Sequence, residues 1–517
     1  MNVSEKVPGV HSPISRKLPG ASAAERPRPA GWPVAALAAS AAGGALLSLP
    51  ASYWRIDGAS GLGHGRAASV ACAAAYALAL ALLAYGWRQA TASRLGLGVA
   101  LASGAIVNGV AVLAPPFLSL DPLCYAAIGR AIARFHQSPY RPLFETLPPG
   151  DPFLLRLPPL WQHQGSAYSS GFHVASRIIA TFAGDSLGLF LRSLQLLNVA
   201  AMFVAAWLTA IAVGIRQPEA RGRAAALVLF CPLTIVEATV SAHNDALMAA
   251  CVGAFVLAVE LRHHGARLIA LTAGALVKAS GLLLLFFGLT ELVVARAGAR
   301  LRGRTLAIGF AVAAVLALGG LLVLNRRIPS LQLVLALIGS PLEAPHCTRS
   351  IECIPRALLF YGFHASAVAW WLGLVFRLAG VGWLGYAGWR AARAGEPALL
   401  PWAAAALFFY YLYLHGYMQS WYLLSLVPLL PFAPPRLRPA MSTFCISALA
   451  YYVLRLPLAD DVRPWVVGAK ELGEGLIVIV PPSIALLVTR RRRPERALTA
   501  AASRSGSVDR RASADRA

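Results

Sequence analysis

Leu187–Gly214 reads LGLFLRSLQLLNVAAMFVAAWLTAIAVG, with Arg192 its single charged residue. A run of about 20 apolar residues is long enough to cross the hydrocarbon core of a bilayer as a helix. Similar runs recur from Trp32 almost to the end of the 517-residue chain. Hydrophobic residues make up 58% of it and charged residues only 13%, with a mean hydropathy of +0.62. A soluble domain carries about a quarter charged residues. The runs lack the alternation of a barrel, and only helices or closed barrels satisfy their backbone in lipid. The pattern predicts an all-α, polytopic transmembrane helix bundle.

The apolar segments number about fourteen, at roughly 32–53, 67–87, 95–117, 187–214, 224–241, 245–261, 268–279, 281–297, 305–324, 365–390, 398–415, 421–434, 440–456 and 466–489. The pair 268–279 and 281–297 reads as one broken helix or two half-helices. A basic, Pro-rich tail precedes the first run at 1–31, and a Ser/Arg/Ala-rich tail follows at 490–517. Neither has the composition of a packed unit, which leaves one membrane domain at 32–489.

Lys and Arg number 46 against 22 Asp and Glu. The basic residues gather in short loops (Arg88–Arg94, Arg216–Arg223, Arg262–Arg267, Arg296–Arg304, Arg390–Arg393, Arg436–Arg438, Arg490–Arg493) and in the N-terminal tail. All fall on one side of the span count, so the excess sets topology rather than binding nucleic acid, and that side is expected to be the cytoplasm. Both termini are expected there, in a plasma membrane. Two longer segments, about 118–186 and 325–363, then face outward. Within the first, 122–135 reads as a short amphipathic helix with Asp121 at its cap and Pro122 in its first turn. A second surface helix is expected at 170–183.

Four polar stretches interrupt this apolar chain, and the count puts all of them at the outer face. Asp121 directly follows an apolar run, where a carboxylate is a candidate functional group. It is either a helix cap or a general base, with cations such as Arg130 helping to keep it ionised. Ser241-Ala242-His243-Asn244-Asp245 is either a tight polar turn or a cluster for sugar hydroxyls and phosphate. Lys278 either snorkels to the interface or pairs with a lipid phosphate. His415 and Gln419 stand beside Trp421 and Tyr422, rings of the kind that belong to an interfacial belt or stack on a sugar. Cys347 and Cys353 form the only close cysteine pair, as a disulfide or as two free thiols; no zinc-finger spacing occurs. No nucleotide-binding glycine pattern is present.

Taken in order, these residues resemble the GT-C superfamily of polytopic glycosyltransferases. They are most similar to the polyprenyl-phosphate-mannose-dependent α-mannosyltransferases and their relatives in glycosyltransferase family 87. The resemblance is carried by Asp121 to Phe135, Gln137-Ser138-Pro139-Tyr140, Cys231-Pro232-Leu233, His243-Asn244-Asp245, Val277-Lys278 and Gln419-Ser420-Trp421-Tyr422, over about residues 95–435. Ser138 departs from the Asn of the family's "NPY"-like motif, and two extra spans precede the Asp121 loop.

The resemblance implies transfer of a hexose, by family weight mannose, from a polyprenyl-phosphate donor to a lipid-linked or polysaccharide acceptor, with inversion and Asp121 as base. Lys278, His415 and Arg130 would face the donor phosphate. Tyr125, Tyr140, His243, Asn244 and Asp245 would contact sugar or acceptor, together with Gln419, Trp421 and Tyr422. No cofactor and no metal is expected. The competing readings are a lipid or solute transporter, which should show two related halves and polar groups near the midplane, and a non-catalytic envelope assembly protein.

Overall fold

The computed structural model describes residues 32–53, 66–281, 283–284, 287, 349, 351–359, 363, 365–416, 418–456 and 468–489. Among these residues every regular element is helical. Six helices are long and apolar enough to cross a membrane: Pro33–Ala51, Ala67–Ala92, Leu187–Arg216, Ala367–Ala394, Glu396–Leu414 and Gly468–Thr489. A bent pair, Pro218–Leu229 with Thr234–Val240, raises the number to seven if it forms one span. Leu97–Val112, Asp245–Glu260, His264–Val277, Ser420–Phe432 and Arg438–Ala450 answer to further expected segments but are shorter than a full crossing. Most of the expected span at 281–297, the span at 305–324, most of the second long loop, both tails and the Cys347 end of the cysteine pair lie outside the described residues. The described residues are thus those of an all-helical protein whose long apolar helices suit a membrane.

Close packing comes from small residues. A Cβ on Gly86 would lie 2.1 Å from Ser40 Oγ and 2.9 Å from Ala36 O, so the helices Trp32–Leu46 and Arg66–Ala92 touch backbone to backbone there. Such approaches are how helices associate where lipid removes the hydrophobic drive.

The bent segment has a local cause. Pro232 has no N–H, so the Val228 carbonyl one turn earlier loses its helical donor. The Thr234 hydroxyl replaces it at 2.6 Å. Asn108, buried on the helix Leu97–Val112, donates to Leu229 O at 3.2 Å and accepts from Thr239 Oγ1 at 2.7 Å. Beyond the break the chain winds as a wide π-helix, Thr234–Val240, a form that recurs at functional sites.

A second core caps one end of the bundle, built on the helices Asp121–Phe135 and Ser170–Ala183. Gly129 lets Ser176 approach closely, and Ser176 Oγ donates to Tyr125 O at 2.7 Å. Arg130 ties the layer together: Nε meets Asp151 at 2.7 Å, Nη1 meets Asp185 at 2.5 Å, and the guanidinium covers Phe153. The Asp121 helix is buried from Asp121 to Ile132 rather than lying half-exposed on a surface, so its expected amphipathic placement is corrected. Only its end, near Arg134, is exposed.

Candidate functional site

Asp121 is the first residue of its helix, and Leu120 is the N-cap. The capping role is therefore corrected: the carboxylate turns to side chains instead. Its Oδ2 accepts from Tyr168 Oη at 3.3 Å and from Tyr125 Oη at 3.4 Å, and lies 3.5 Å from His243 Nδ1. Tyr125 sits one helical turn on, and its hydroxyl also reaches Asn244 Oδ1 at 3.3 Å. The Tyr125, Tyr168 and Phe172 rings meet edge to face.

Ala242, at φ 56°, makes the turn that delivers His243. A left-handed alanine is uncommon and marks a backbone held against its preference. The His243 ring is wholly buried and stacks on Trp421 at 3.8 Å and 12°. Its Nε2 lies 3.5 Å from Glu237 Oε2, on the π-helix. Glu237 Oε1 accepts from Ser420 Oγ at 2.5 Å.

On the other side, Asp245 begins the helix Asp245–Glu260, and its Oδ2 takes Lys278 Nζ at 2.8 Å. Lys278 is where the helix His264–Val277 breaks into extended backbone, and its ammonium lies 4.2 Å over the Tyr422 ring. His415 stacks on Tyr422 at 5.3 Å. Gln419 accepts from Arg349, which also binds Glu474 at 2.9 Å and covers the Tyr451 ring at 3.6 Å.

The four polar stretches thus meet in one cluster. Arg130 and Tyr140 do not join it. Arg130 is spent on Asp151 and Asp185, and Tyr140 packs on His173 at 5.0 Å within the capping layer. Asp121 is held by His243 and Lys278, not by Arg130. Residue-by-residue reading missed Tyr168, Glu237, Ser420 and Arg349. For Glu237 the signal was present: an acid inside an apolar run is a functional candidate by default.

Burial pushes the Asp121 carboxyl up, but the His243 ring, then Lys278 and the Tyr168 hydroxyl, outweigh it and hold the group below its ordinary value. Asp121 is therefore an anion across the neutral range. Burial, then the Asp121 charge, push the Tyr125 and Tyr168 phenols up, so both remain proton donors. Burial takes His173 down to about 3, leaving a neutral ring. Asp245 Oδ1 and Asn244 Nδ2 are buried with no hydrogen-bond partner among the described residues. The same residues contain no group of three or more His, Cys, Asp or Glu placed to hold a metal ion. The arrangement offers a carboxylate base, phenolic and amide groups that suit a polyol, and a cation for an anion.

The described residues thus define a helical bundle with membrane-length apolar helices and one buried polar cluster at an end. Residues 31–296 match the family model "Alpha-(1->6)-mannopyranosyltransferase, N-terminal domain", and the chain belongs to that family. It is a glycosyltransferase, in keeping with the resemblance read from its motifs. No curated protein and no solved structure gives a match. The matched region holds Asp121, Tyr125, Tyr168, Glu237, His243, Asp245 and Lys278; Trp421 and Tyr422 come from beyond it.

Proposed function

We propose that the protein transfers mannose from a polyprenyl-phosphate donor to a lipid-linked or polysaccharide acceptor at the outer face of the cell membrane, through a GT-C-type bundle with about fourteen spans. The observation that carries this reading is Asp121: a buried anion in the family-matched region, within 3.5 Å of two phenols and an imidazole. In this reading Asp121 takes the proton of the acceptor hydroxyl. The freed oxygen attacks the anomeric carbon, and the carbon–oxygen bond to phosphate breaks on the opposite face, inverting the centre. Polyprenyl phosphate leaves with the bonding pair. Lys278 and His415, joined through the Tyr422 ring, are the groups for that phosphate. Lys278 already shares its charge with Asp245, so two N–H donors remain for a second anion. Asn244 and Asp245 suit sugar hydroxyls, and Tyr422 suits a sugar face. The linkage in the family's name favours an α-(1→6) product.

The test is transfer of labelled mannose from polyprenyl-phosphate mannose by purified protein. Asp121→Asn keeps the shape and removes the base, and kcat should fall by ~10²–10⁴-fold. A folded Asp121→Asn as active as wild type removes Asp121 from the chemistry. The transporter alternative is disfavoured by the family match.

A further inference from the structure

His243 stands between two carboxylates. Nδ1 faces Asp121 Oδ2 and Nε2 faces Glu237 Oε2, both at 3.5 Å. An ionised carboxylate only accepts, and only the imidazolium carries a proton on both nitrogens. The stack on Trp421 fixes the ring plane and suits a cation. The ring is fully buried. A buried carboxylate is costly unless it has a partner, yet Glu237 Oε2 and both ring nitrogens make no hydrogen bond among the described residues. The charge contact is what relates them.

We propose that Glu237 is a positioning residue of the transfer reaction: by facing the far nitrogen it keeps His243 an imidazolium, and that fixed cation keeps Asp121 ionised and aimed. The proposal rests on Asp121 being the base. Glu237 does not touch substrate; it acts through His243. Ser420, from the segment that also supplies Trp421, orients Glu237 by its 2.5 Å bond. Other groups around the pair are the Tyr76, Tyr451 and Tyr452 hydroxyls and the Arg349 guanidinium near Glu237, Asp245 near His243, and Lys278 near Asp121 and Asp245.

The sign of a pH shift separates this role from a structural one. Glu237→Gln keeps the shape and removes one negative charge. If Glu237 acted on Asp121 only as a nearby anion, its removal would make Asp121 easier to ionise, and the acid limb of kcat/KM would move down. If Glu237 carried a proton in the wild type, nothing would move. If it maintains the imidazolium, its loss leaves the ring neutral, Asp121 loses its cation, and the acid limb moves up by ~1 unit or more.

The experiment is the pH profile of kcat/KM with polyprenyl-phosphate mannose for wild type, Glu237→Gln, Glu237→Asp and Ser420→Ala. The upward limb in Glu237→Gln, a smaller upward shift in Ser420→Ala and partial return in Glu237→Asp support the proposal. A folded Glu237→Gln with an unmoved or lowered limb overturns it. Should that variant fail to fold, an unmoved limb in Ser420→Ala overturns it instead. Asp121→Asn run alongside keeps the two claims apart. If it transfers like wild type, the base assignment fails; if it is inactive while Glu237→Gln is unshifted, only the role of Glu237 fails.

Discussion

Lys278 and Asp245 carry opposite charges at the edge of the cluster, 2.8 Å apart, with Asp245 fully buried. Removing one partner of a buried pair leaves the other uncompensated. Lys278→Met should therefore cost about 3–5 kcal/mol, and Lys278→Met with Asp245→Asn should recover part of it in thermal unfolding in detergent. Transfer should stay low in both, since neither restores a cation for the phosphate. Asp121 gives a pH prediction. Its folded pKa is depressed below the ordinary 3.8, so its contribution to stability is present above that value and lost as pH falls through the lower folded one. The kcat/KM profile should show no loss from Asp121 until the solution is more acidic than about pH 4. His243→Ala leaves burial as the largest remaining influence and should lift that limb. Asp121 was legible in the sequence because it follows an apolar run. Tyr125 and His243 were named as well, but not their pairing with Asp121, and Tyr168 was missed because it lies 47 positions away and nothing local relates the two.

The bent segment shows how one residue type shapes an element. Pro232 interrupts the helical ladder, Thr234 and Asn108 supply replacement donors, and the π-helix that follows presents Glu237 and then, after the Ala242 turn, His243. Asn108→Leu fills the same space without its hydrogen bonds. It leaves Leu229 O and Thr239 Oγ1 without their side-chain partner, at about 1–3 kcal/mol for an orphaned buried group. The expected result is a lower unfolding temperature and a reduced kcat, from a residue that touches neither substrate nor any cluster member. The element ends expected from the sequence fall within a few residues for Leu187–Arg216, Asp245–Glu260 and Ser170–Ala183. Patterning was silent on the 59° bend, because apolar periodicity records which face is buried and not how a ladder survives a proline. It also placed the Asp121 helix on a surface: the apolar face showed in the sequence, but the Arg130 ion pairs that let its polar side be buried did not.

Across the whole molecule, the helix Asp245–Glu260 runs from the cluster at one end to Arg216 at the other, where Glu260 receives a two-point contact at 2.6 and 2.8 Å. Sixteen residues span roughly 24 Å, so the polar cluster and the Arg216 loop lie at opposite ends of this helix. In the proposed orientation the Arg-rich end faces the cytoplasm. Leu155→Cys, exposed in the capping layer, should then react with an impermeant maleimide on intact cells above the wild-type background, and Glu219→Cys only after permeabilisation; the reverse pattern sinks the proposed orientation. Apolar patterning made the class of fold readable early, since a single transmembrane segment declares itself, whereas convergence of distant loops is a property of the bundle alone. That convergence also sets an order in time. The carboxylates Asp121, Glu237 and Asp245 are synthesised well before Trp421, the ring that closes over His243. At ~5–20 residues per second the ribosome needs on the order of ten seconds or more to get from one to the other. Until Trp421 is made, His243 has no ring to stack on, so the cluster cannot be complete before the last third of the chain has been synthesised.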